Sequence, residues 1–202
     1  MDVDAVVFDL GGVLIDWDPR HLYCTVFATD EELEYFLGSV CTLEWHFQHD
    51  RGAPMSQTVP DLAARFPEYH DEIMRWTEQD AMIRGALDEV VELLRRLRTR
   101  SVRCFALTNW PAESFDRARE RFPFLGWFDG IVISGEERIA KPEPAIFRRL
   151  LDRYGLDAQS TLFVDNSREN IDAAQTLGFQ THLFHTADAL AADLARRGLL
   201  PA

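Results

Sequence analysis

The sequence of 202 residues predicts an α/β fold, with a mostly parallel sheet and a helical segment inserted after the first strand. Two observations lead to this prediction. Short apolar runs alternate with longer stretches of helical periodicity, which is typical of βαβ units. One interval near the N-terminus breaks this alternation, because it contains only helical patterns. The chain is long enough to bury a full core without disulfides or a partner.

The predicted core strands lie at the apolar runs, and helices separate most of them. Strands are predicted over residues 3–8, 102–107, 130–133, 161–164 and 181–184. Helices are predicted over residues 87–98, 114–121, 144–154 and 170–177. Proline marks the helix starts at Pro111 and Pro144, and a glycine follows the helix ends at Gly155 and Gly178.

The interval without strand candidates is expected to form a helical cap. Its helices are predicted over residues 31–37, 42–50, 56–66 and 68–82. We expect a core domain formed by residues 1–17 and 85–202, and a cap domain formed by residues 18–84. Aromatic residues of the cap should pack between its helices, and one or two could line a substrate pocket. His46 and His49 lie three residues apart, but a metal site there needs a third ligand and none is evident.

Composition and charge restrict the class of protein. The hydrophobic content of 47% and the charged content of 27% are typical of soluble globular proteins. The net charge of -13 argues against nucleic-acid binding, so an anionic substrate must be attracted by local positive charge. We expect no membrane partner and no signal peptide. Three widely spaced cysteines indicate a reduced, cytoplasmic location. A monomer or a homodimer is expected.

The first predicted strand delivers a carboxylate to a glycine-lined turn. Asp9 directly follows a buried apolar run, and Gly11 and Gly12 come next. An ionised aspartate in such a position is costly unless it is paired or bound to a metal. The two glycines allow backbone amides to approach an anion closely. Asp9 is therefore a candidate site residue on physical grounds alone.

Polar residues also stand at the ends of the other predicted strands. They are Thr108 and Asn109 after the second, Lys141 after the third, and Asp165 and Asn166 after the fourth. Ligands of open α/β sheets bind at the carboxyl ends of strands, so we expect these residues to meet Asp9 in one crevice. An aspartate can attack phosphorus, and a hydroxyl and a lysine can hold phosphate oxygens. Carboxylate and amide oxygens can hold a hard cation.

The order Asp, Thr, Lys, Asp resembles the four signature motifs of the haloacid dehalogenase (HAD) superfamily. The helical insertion resembles the small cap of its first subfamily. The strings FDLGGVLIDWDPRHLY, TNW and AKPEPAIF are similar to those of bacterial HAD sugar-phosphate phosphatases. The resemblance implies a Rossmann-like core, Mg²⁺ as cofactor and a small phosphorylated metabolite as substrate. It also implies hydrolysis through an aspartyl-phosphate intermediate.

The resemblance assigns a role to each site residue. The catalytic residues would be Asp9 as nucleophile, Thr108 as phosphate-binding hydroxyl and Lys141 as phosphate anchor. The metal ligands would be Asp9, the Gly11 carbonyl, Asp165 and Asn166. We expect substrate contacts from Gly12, Asn109, Trp110 and Trp17.

Two positions depart from the pattern of the family. Gly11 stands where the family has the aspartate that protonates the leaving group, so activated esters should be preferred. Asp16 and Asp18 are the nearest acidic alternatives in the sequence. Asn166 stands where the metal ligand is usually an aspartate, which predicts weaker metal affinity unless Asp165 takes over.

Two other functions stay open. A metal-free 2-haloacid dehalogenase attacks carbon with the same aspartate and needs no general acid. That class typically has an aromatic residue at the Gly11 position, a tyrosine at the Phe147 position and serines at the Asp165 and Asn166 positions, which disfavours it. The other alternative is a catalytically weak family member with a binding role. Such a protein would bind phosphate esters tightly without turnover.

Overall fold

The computed structural model describes residues 3–201. Its strands are β1 (Ala5–Phe8), β2 (Ile15–Trp17), β3 (Ile83–Ala86), β4 (Arg103–Thr108), β5 (Gly130–Ile133), β6 (Thr161–Asp165) and β7 (Gln180–Leu183). Its α-helices are α1 (Arg20–Tyr23), α2 (Asp30–Ser39), α3 (Leu43–Asp50), α4 (Met55–Arg65), α5 (His70–Met74), α6 (Asp88–Thr99), α7 (Ala112–Arg121), α8 (Ser134–Glu137), α9 (Pro144–Tyr154), α10 (Arg168–Thr176) and α11 (Ala187–Arg196). None of the helices within this range is long and apolar enough to span a bilayer.

The core is a five-stranded parallel sheet in the order β5-β4-β1-β6-β7. The central strand is β1, where Ala5 is in register with Arg103 of β4 and with Thr161 of β6. The chain extends the sheet to one side of β1 and then returns to extend it on the other. A crevice at the carboxyl end of β1 is the usual ligand site of such a topology. The predicted α/β fold with a Rossmann-like parallel sheet is confirmed.

Alternation along the strands gives the sheet two apolar faces. Val6 and Phe8 belong to a cluster that includes residues of α6, α7 and α11. Ala5 and Val7 belong to a second cluster, which includes residues of α9 and α10. All four residues of β1 are fully buried. Burial of both faces explains why this strand is a continuous apolar run in the sequence.

A third apolar cluster lies within the helical segment. Its largest fully buried side chains are those of Tyr23, Phe36 and Trp76. The ring centroid of Tyr23 lies 4.9 Å from that of Phe36 and 5.9 Å from that of Trp76. The helices expected over residues 31–37, 42–50 and 56–66 are present as α2, α3 and α4. The division of the chain into domains at residues 18 and 84 stays a prediction.

The expectation that no strand lies between the first strand and residue 102 was wrong. β2 and β3 pair in an antiparallel ladder at the two ends of the helical segment. They have three and four residues, so neither is long enough to show a clear period-2 pattern. The pair joins the start of the helical segment to its end.

The prediction of a single helix over residues 68–82 was also wrong. The structure has the short helix α5 between 3₁₀ turns at Pro67–Tyr69, Arg75–Thr77 and Gln79–Met82. Ile73, Trp76, Gln79 and Met82 are all buried, and they are spaced three residues apart. That spacing fits the three residues per turn of a 3₁₀ helix, so burial of these side chains favours the tighter winding. Helix α11 was not predicted.

Candidate active site

A cavity of about 620 Å³ opens at the carboxyl end of the parallel sheet. Most of the predicted site residues line it: Asp9, Gly11, Gly12, Trp17, Asn109, Trp110, Lys141 and Asn166. Residues of the helical segment line it as well, among them Leu43, Phe47 and Asp50. Thr108 and Asp165 are fully buried and do not reach its surface.

Asp9 reaches the cavity directly after the buried strand β1. Its Oδ1 atom accepts a 2.7 Å hydrogen bond from the N–H of Leu10 and lies 2.9 Å from Nζ of Lys141. Among residues 3–201, no donor contacts the Oδ2 atom. Burial raises the pKa of Asp9 to about 7, although the charge of Lys141 acts in the opposite direction. One carboxylate oxygen is therefore held in place, while the other remains available for chemistry.

Lys141 lies between two carboxylates. Its Nζ atom is 2.9 Å from Oδ1 of Asp9 and 2.7 Å from Oδ2 of Asp165, and the side chain is 1% exposed. Burial alone would lower the pKa of Lys141, but the charges of Asp165 and Asp9 outweigh burial and raise it. The ammonium group therefore stays charged and fixes the orientation of Asp9.

Asp165 holds Lys141 and does not face the cavity. Its oxygens accept from Nζ of Lys141 at 2.7 Å, from the N–H of Ser167 at 2.8 Å and from Nδ2 of Asn170 at 3.1 Å. The ammonium of Lys141 is the cation that lies between Asp9 and Asp165. Direct ligation of a metal by Asp165 stays a prediction, and both of its oxygens also accept hydrogen bonds inside the core.

Asn109 ties the loop of Lys141 to the end of β4. Its Nδ2 donates to the carbonyl of Lys141, and its Oδ1 accepts from the N–H of Lys141, both at 2.9 Å. The amide of Asn109 is thus used mainly to position Lys141, and its contact with substrate stays a prediction. The hydroxyl of Thr108 lies 3.5 Å from the carbonyl of Asn109 below the cavity surface, so its phosphate-binding role also stays a prediction.

The remaining oxygen donors of the cavity form a set that fits Mg²⁺. Within residues 3–201, no three His, Cys, Asp or Glu side chains converge as a metal site. The cavity instead brings together the carboxylate of Asp9, the backbone of Gly11 and the amide of Asn166. Mg²⁺ prefers oxygen ligands and usually keeps several waters, so one carboxylate with two neutral oxygens is a suitable but weakly charged set.

Gly12 provides the space that Asn166 occupies. Its φ is +73°, and a Cβ atom at this position would lie 2.2 Å from Nδ2 of Asn166. Gly12→Ala should therefore lower the free energy of unfolding by at least about 1–2 kcal/mol and displace Asn166. Urea unfolding measures the loss. Gly11→Ala is the matched control, because nothing lies within 4 Å of its Cβ position. Equal effects of the two substitutions would contradict this account.

Sequence reasoning proposed Asp16 and Asp18 and missed four acidic residues that line the cavity: Glu44, Asp50, Asp80 and Glu169. Asp50, at the end of α3, lines the cavity and is 7% exposed. Asp16 does not line the cavity and pairs with His21 at 2.9 Å. Asp18 lines it, but its Oδ1 accepts from the N–H of Arg20 at 2.8 Å. The only sequence signal for Asp50 is its position four residues after His46, which places the two on one helix face.

Comparisons with known proteins find one matching family and several similar chains. The family model for haloacid dehalogenase-like hydrolases matches residues 3–178. A sesquiterpene phosphatase of Aspergillus oryzae is 30% identical over 201 residues, which cover 97% of this chain and 96% of that protein. A phosphorylated carbohydrates phosphatase of Thermotoga maritima is 25% identical over 187 residues, which cover 88% and 83%. A HAD family enzyme of Bacteroides thetaiotaomicron, solved with magnesium and inorganic phosphate, is 22% identical and covers 89% of this chain and 93% of its own, with a TM-score of 0.69. This last likeness shows the fold alone.

Proposed function

Because the chain belongs to the haloacid dehalogenase-like hydrolases, we propose that it is a Mg²⁺-dependent phosphatase of a small phosphorylated metabolite. The observation that carries the proposal is the state of Asp9. Lys141 holds one carboxylate oxygen of Asp9 in place. The other oxygen has no hydrogen-bond donor among residues 3–201, and Asp9 lines the cavity. A fixed carboxylate of this kind can act as a nucleophile toward phosphorus. The phosphatase relatives described above support the same reaction.

The residues of the cavity have different roles in the two steps of hydrolysis, phosphoryl transfer to Asp9 and attack by water. Asp9 forms a bond to phosphorus while the bond to the leaving group breaks, and water then attacks the phosphorus to release phosphate. Lys141 orients Asp9 and offers positive charge to the phosphate oxygens, while Asp165 holds Lys141. Asp9, the Gly11 carbonyl and Asn166 would hold Mg²⁺, which when bound neutralises phosphate charge.

The lining of the cavity favours a substrate whose organic part has apolar surface. Trp17, Leu43, Phe47, Ile83 and Trp110 all line it. Apolar side chains gain free energy by covering apolar surface of a ligand, at roughly 25 cal/mol per Å² removed from water. The sesquiterpene phosphatase relative is consistent with this preference, and the carbohydrate phosphatase relative represents the more polar alternative.

A panel of phosphate esters tests the proposed function. We expect turnover of p-nitrophenyl phosphate and of a subset of phosphorylated metabolites, with prenyl or alkyl phosphates compared directly with sugar phosphates. L-2-chloropropionate belongs in the same panel, because dechlorination of it would show the dehalogenase alternative. Tight binding of phosphate esters without turnover of any of them would instead show the binding alternative.

Removal of the metal should abolish the phosphatase activity. EDTA should stop hydrolysis of p-nitrophenyl phosphate, and excess Mg²⁺ should restore it, because Lys141 alone cannot balance the negative charges of Asp9 and a bound phosphate. Asn166→Asp should lower the Mg²⁺ concentration that gives half-maximal rate, since it adds a charge to the ligand set. Glu169→Asp, at another residue lining the cavity, is the matched control and should leave that concentration unchanged. Full activity in EDTA would contradict the metal dependence.

A further inference from the structure

We propose that Asp50, at the end of α3, is the acid that protonates the leaving group of the substrate. The inference rests on the proposed phosphatase function. Gly11 carries no side chain that could give a proton, so the proton must come from another group that lines the cavity. Asp50 lines the same cavity as Asp9 and Lys141, but it comes from the helical segment instead of the sheet.

The side chain of Asp50 is buried and not satisfied by the protein. It is 7% exposed, and its Oδ1 atom accepts no hydrogen bond from any residue in the range 3–201. Buried carboxyl oxygens nearly always have a donor, and an ionised one without a donor is costly. The buried Oδ1, next to His46, therefore favours the neutral carboxyl group, so Asp50 can hold a proton at the wall of the cavity that it lines.

The burial of Asp50 favours its protonated form. The titratable groups that face it are His46, whose Nε2 lies 3.8 Å from Oδ1, together with Asp9 and Lys141 across the cavity. Burial raises the pKa of Asp50 to about 7, with Lys141 opposing that shift and Asp9 adding to it. A general acid is most effective when its pKa lies near the working pH.

His46 is a positioning residue for Asp50. The indole N–H of Trp76 donates to Nδ1 of His46 at 3.1 Å, and an indole nitrogen is a donor only. Burial lowers the pKa of His46 to about 3, so the ring is neutral at pH 7. With Nδ1 accepting, the proton of the neutral ring is assigned to Nε2, the atom nearest Asp50. Trp17 stacks on the ring at 5.3 Å. The N–H of His46 can thus stabilise Asp50 after it has lost its proton.

The other acidic residues of the cavity are less suited to this role. The carboxylate of Asp18 accepts from the N–H of Arg20, and that of Asp80 pairs with Arg117 at 2.6 Å. Glu44, on the same helix as Asp50, and Glu169 are exposed to solvent. Among residues 3–201, Asp50 is the only buried carboxyl residue besides Asp9 that lines the cavity.

The assignment gives a balanced reaction. In the first step, an oxygen of Asp9 bonds to phosphorus, the ester P–O bond breaks, and the leaving oxygen takes the proton of Asp50. In the second step, the Asp50 carboxylate takes a proton from the water that attacks phosphorus, and the bond between Asp9 and phosphorus breaks. Phosphate leaves, Asp50 is protonated again and Asp9 is again a carboxylate.

The test compares two esters that differ in their need for a proton. An alkoxide leaving group requires protonation and p-nitrophenolate does not. Asp50→Asn should lower kcat/KM on butyl phosphate by about 10²–10⁴-fold and change kcat/KM on p-nitrophenyl phosphate much less. Asp61→Asn, on the exposed surface of α4 and outside the lining of the cavity, is the control and should leave both values unchanged.

The pH dependence gives a second measurement that needs no variant. In the wild-type protein, kcat/KM on butyl phosphate should fall as the pH rises above about 7, where Asp50 loses its proton, and p-nitrophenyl phosphate should show no such fall.

The pH dependence of stability gives a third measurement. Because the pKa of Asp50 in the folded state lies above the ordinary value of 3.8, the protein loses stability as the pH rises through about 7. Asp50→Asn should therefore melt at a higher temperature than wild type at pH 8, and this gain should vanish near pH 4.

The outcomes separate the two proposals. Equal losses on both esters, or no loss on either, would overturn the role of Asp50 while leaving the phosphatase function in place. If Asp50→Asn does not fold, identical pH profiles of the wild type on the two esters would overturn it instead. A wild-type protein that hydrolyses neither ester overturns the proposed function, and the role of Asp50 falls with it.

Discussion

Asp9→Asn is expected to reduce kcat/KM on p-nitrophenyl phosphate on the order of 10⁴-fold or more. The substitution keeps the volume of the side chain and an oxygen that can accept from the N–H of Leu10 and from Lys141. It removes the negative charge and the nucleophilicity on which attack at phosphorus depends. Lys141 keeps its contact with Asp165, so the fold should be retained.

Steady-state kinetics and circular dichroism together measure this effect. Asp18→Asn is the matched control, because Asp18 lines the same cavity and an amide oxygen can still accept from the N–H of Arg20. The control should retain most of the activity. A folded Asp9→Asn variant with rates close to wild type would show that Asp9 is not the nucleophile.

Lys141→Ala should cause the largest loss of stability of any single substitution considered. It leaves Asp9 and Asp165 as two buried carboxylates without their shared cation. Removal of one partner from a buried ion pair typically costs about 3–5 kcal/mol, because the other partner stays buried and unpaired. Urea unfolding measures this loss. Arg95→Ala breaks the exposed pair with Glu92 and should change stability by about 1 kcal/mol or less.

The stability defect of Lys141→Ala should depend on pH in a defined direction. Without the ammonium group, the effect of burial on the pKa of Asp9 is no longer opposed by Lys141, so that pKa rises further. Asp9 then becomes neutral as the pH falls, which removes the cost of burying its charge. The difference in unfolding free energy between wild type and variant should therefore be larger at pH 8 than at pH 5. A pH-independent defect would show that lost packing, and not unpaired charge, is the cause.

The rule that ligands bind at strand ends is sufficient to bring Asp9, Asn109 and Asn166 to one cavity. It does not specify where Lys141 lies, because that residue follows β5 after an intervening helix, α8. Its position depends on two hydrogen bonds with Asn109, one donated and one accepted, and on the attraction of two buried carboxylates. The residue types and their order in the chain therefore predict the members of the site better than their mutual contacts.

Asp165 and Asp50 show where sequence reasoning stops. An aspartate at a strand end is compatible with binding a metal ion, an ammonium group or both, and only the structure shows that Asp165 contacts Lys141. Asp50 lies on a helix of the inserted segment, and its approach to the cavity depends on how that segment packs on the sheet. Its sequence neighbours give no such information, since a carboxylate at a helix end is usually an exposed residue.

Lys141 is the only lysine in the sequence, and the rest of the 21 lysine and arginine residues are arginines. A buried ammonium at 1% exposure has a practical consequence for chemical labelling. An amine-reactive acylating reagent can modify only this one lysine side chain, and only when the protein interior opens and exposes it. Mass spectrometry of the digested protein separates this label from that on the N-terminal amine. The rate of acylation at Lys141 therefore reports how often the candidate active site opens to solvent, without an engineered probe.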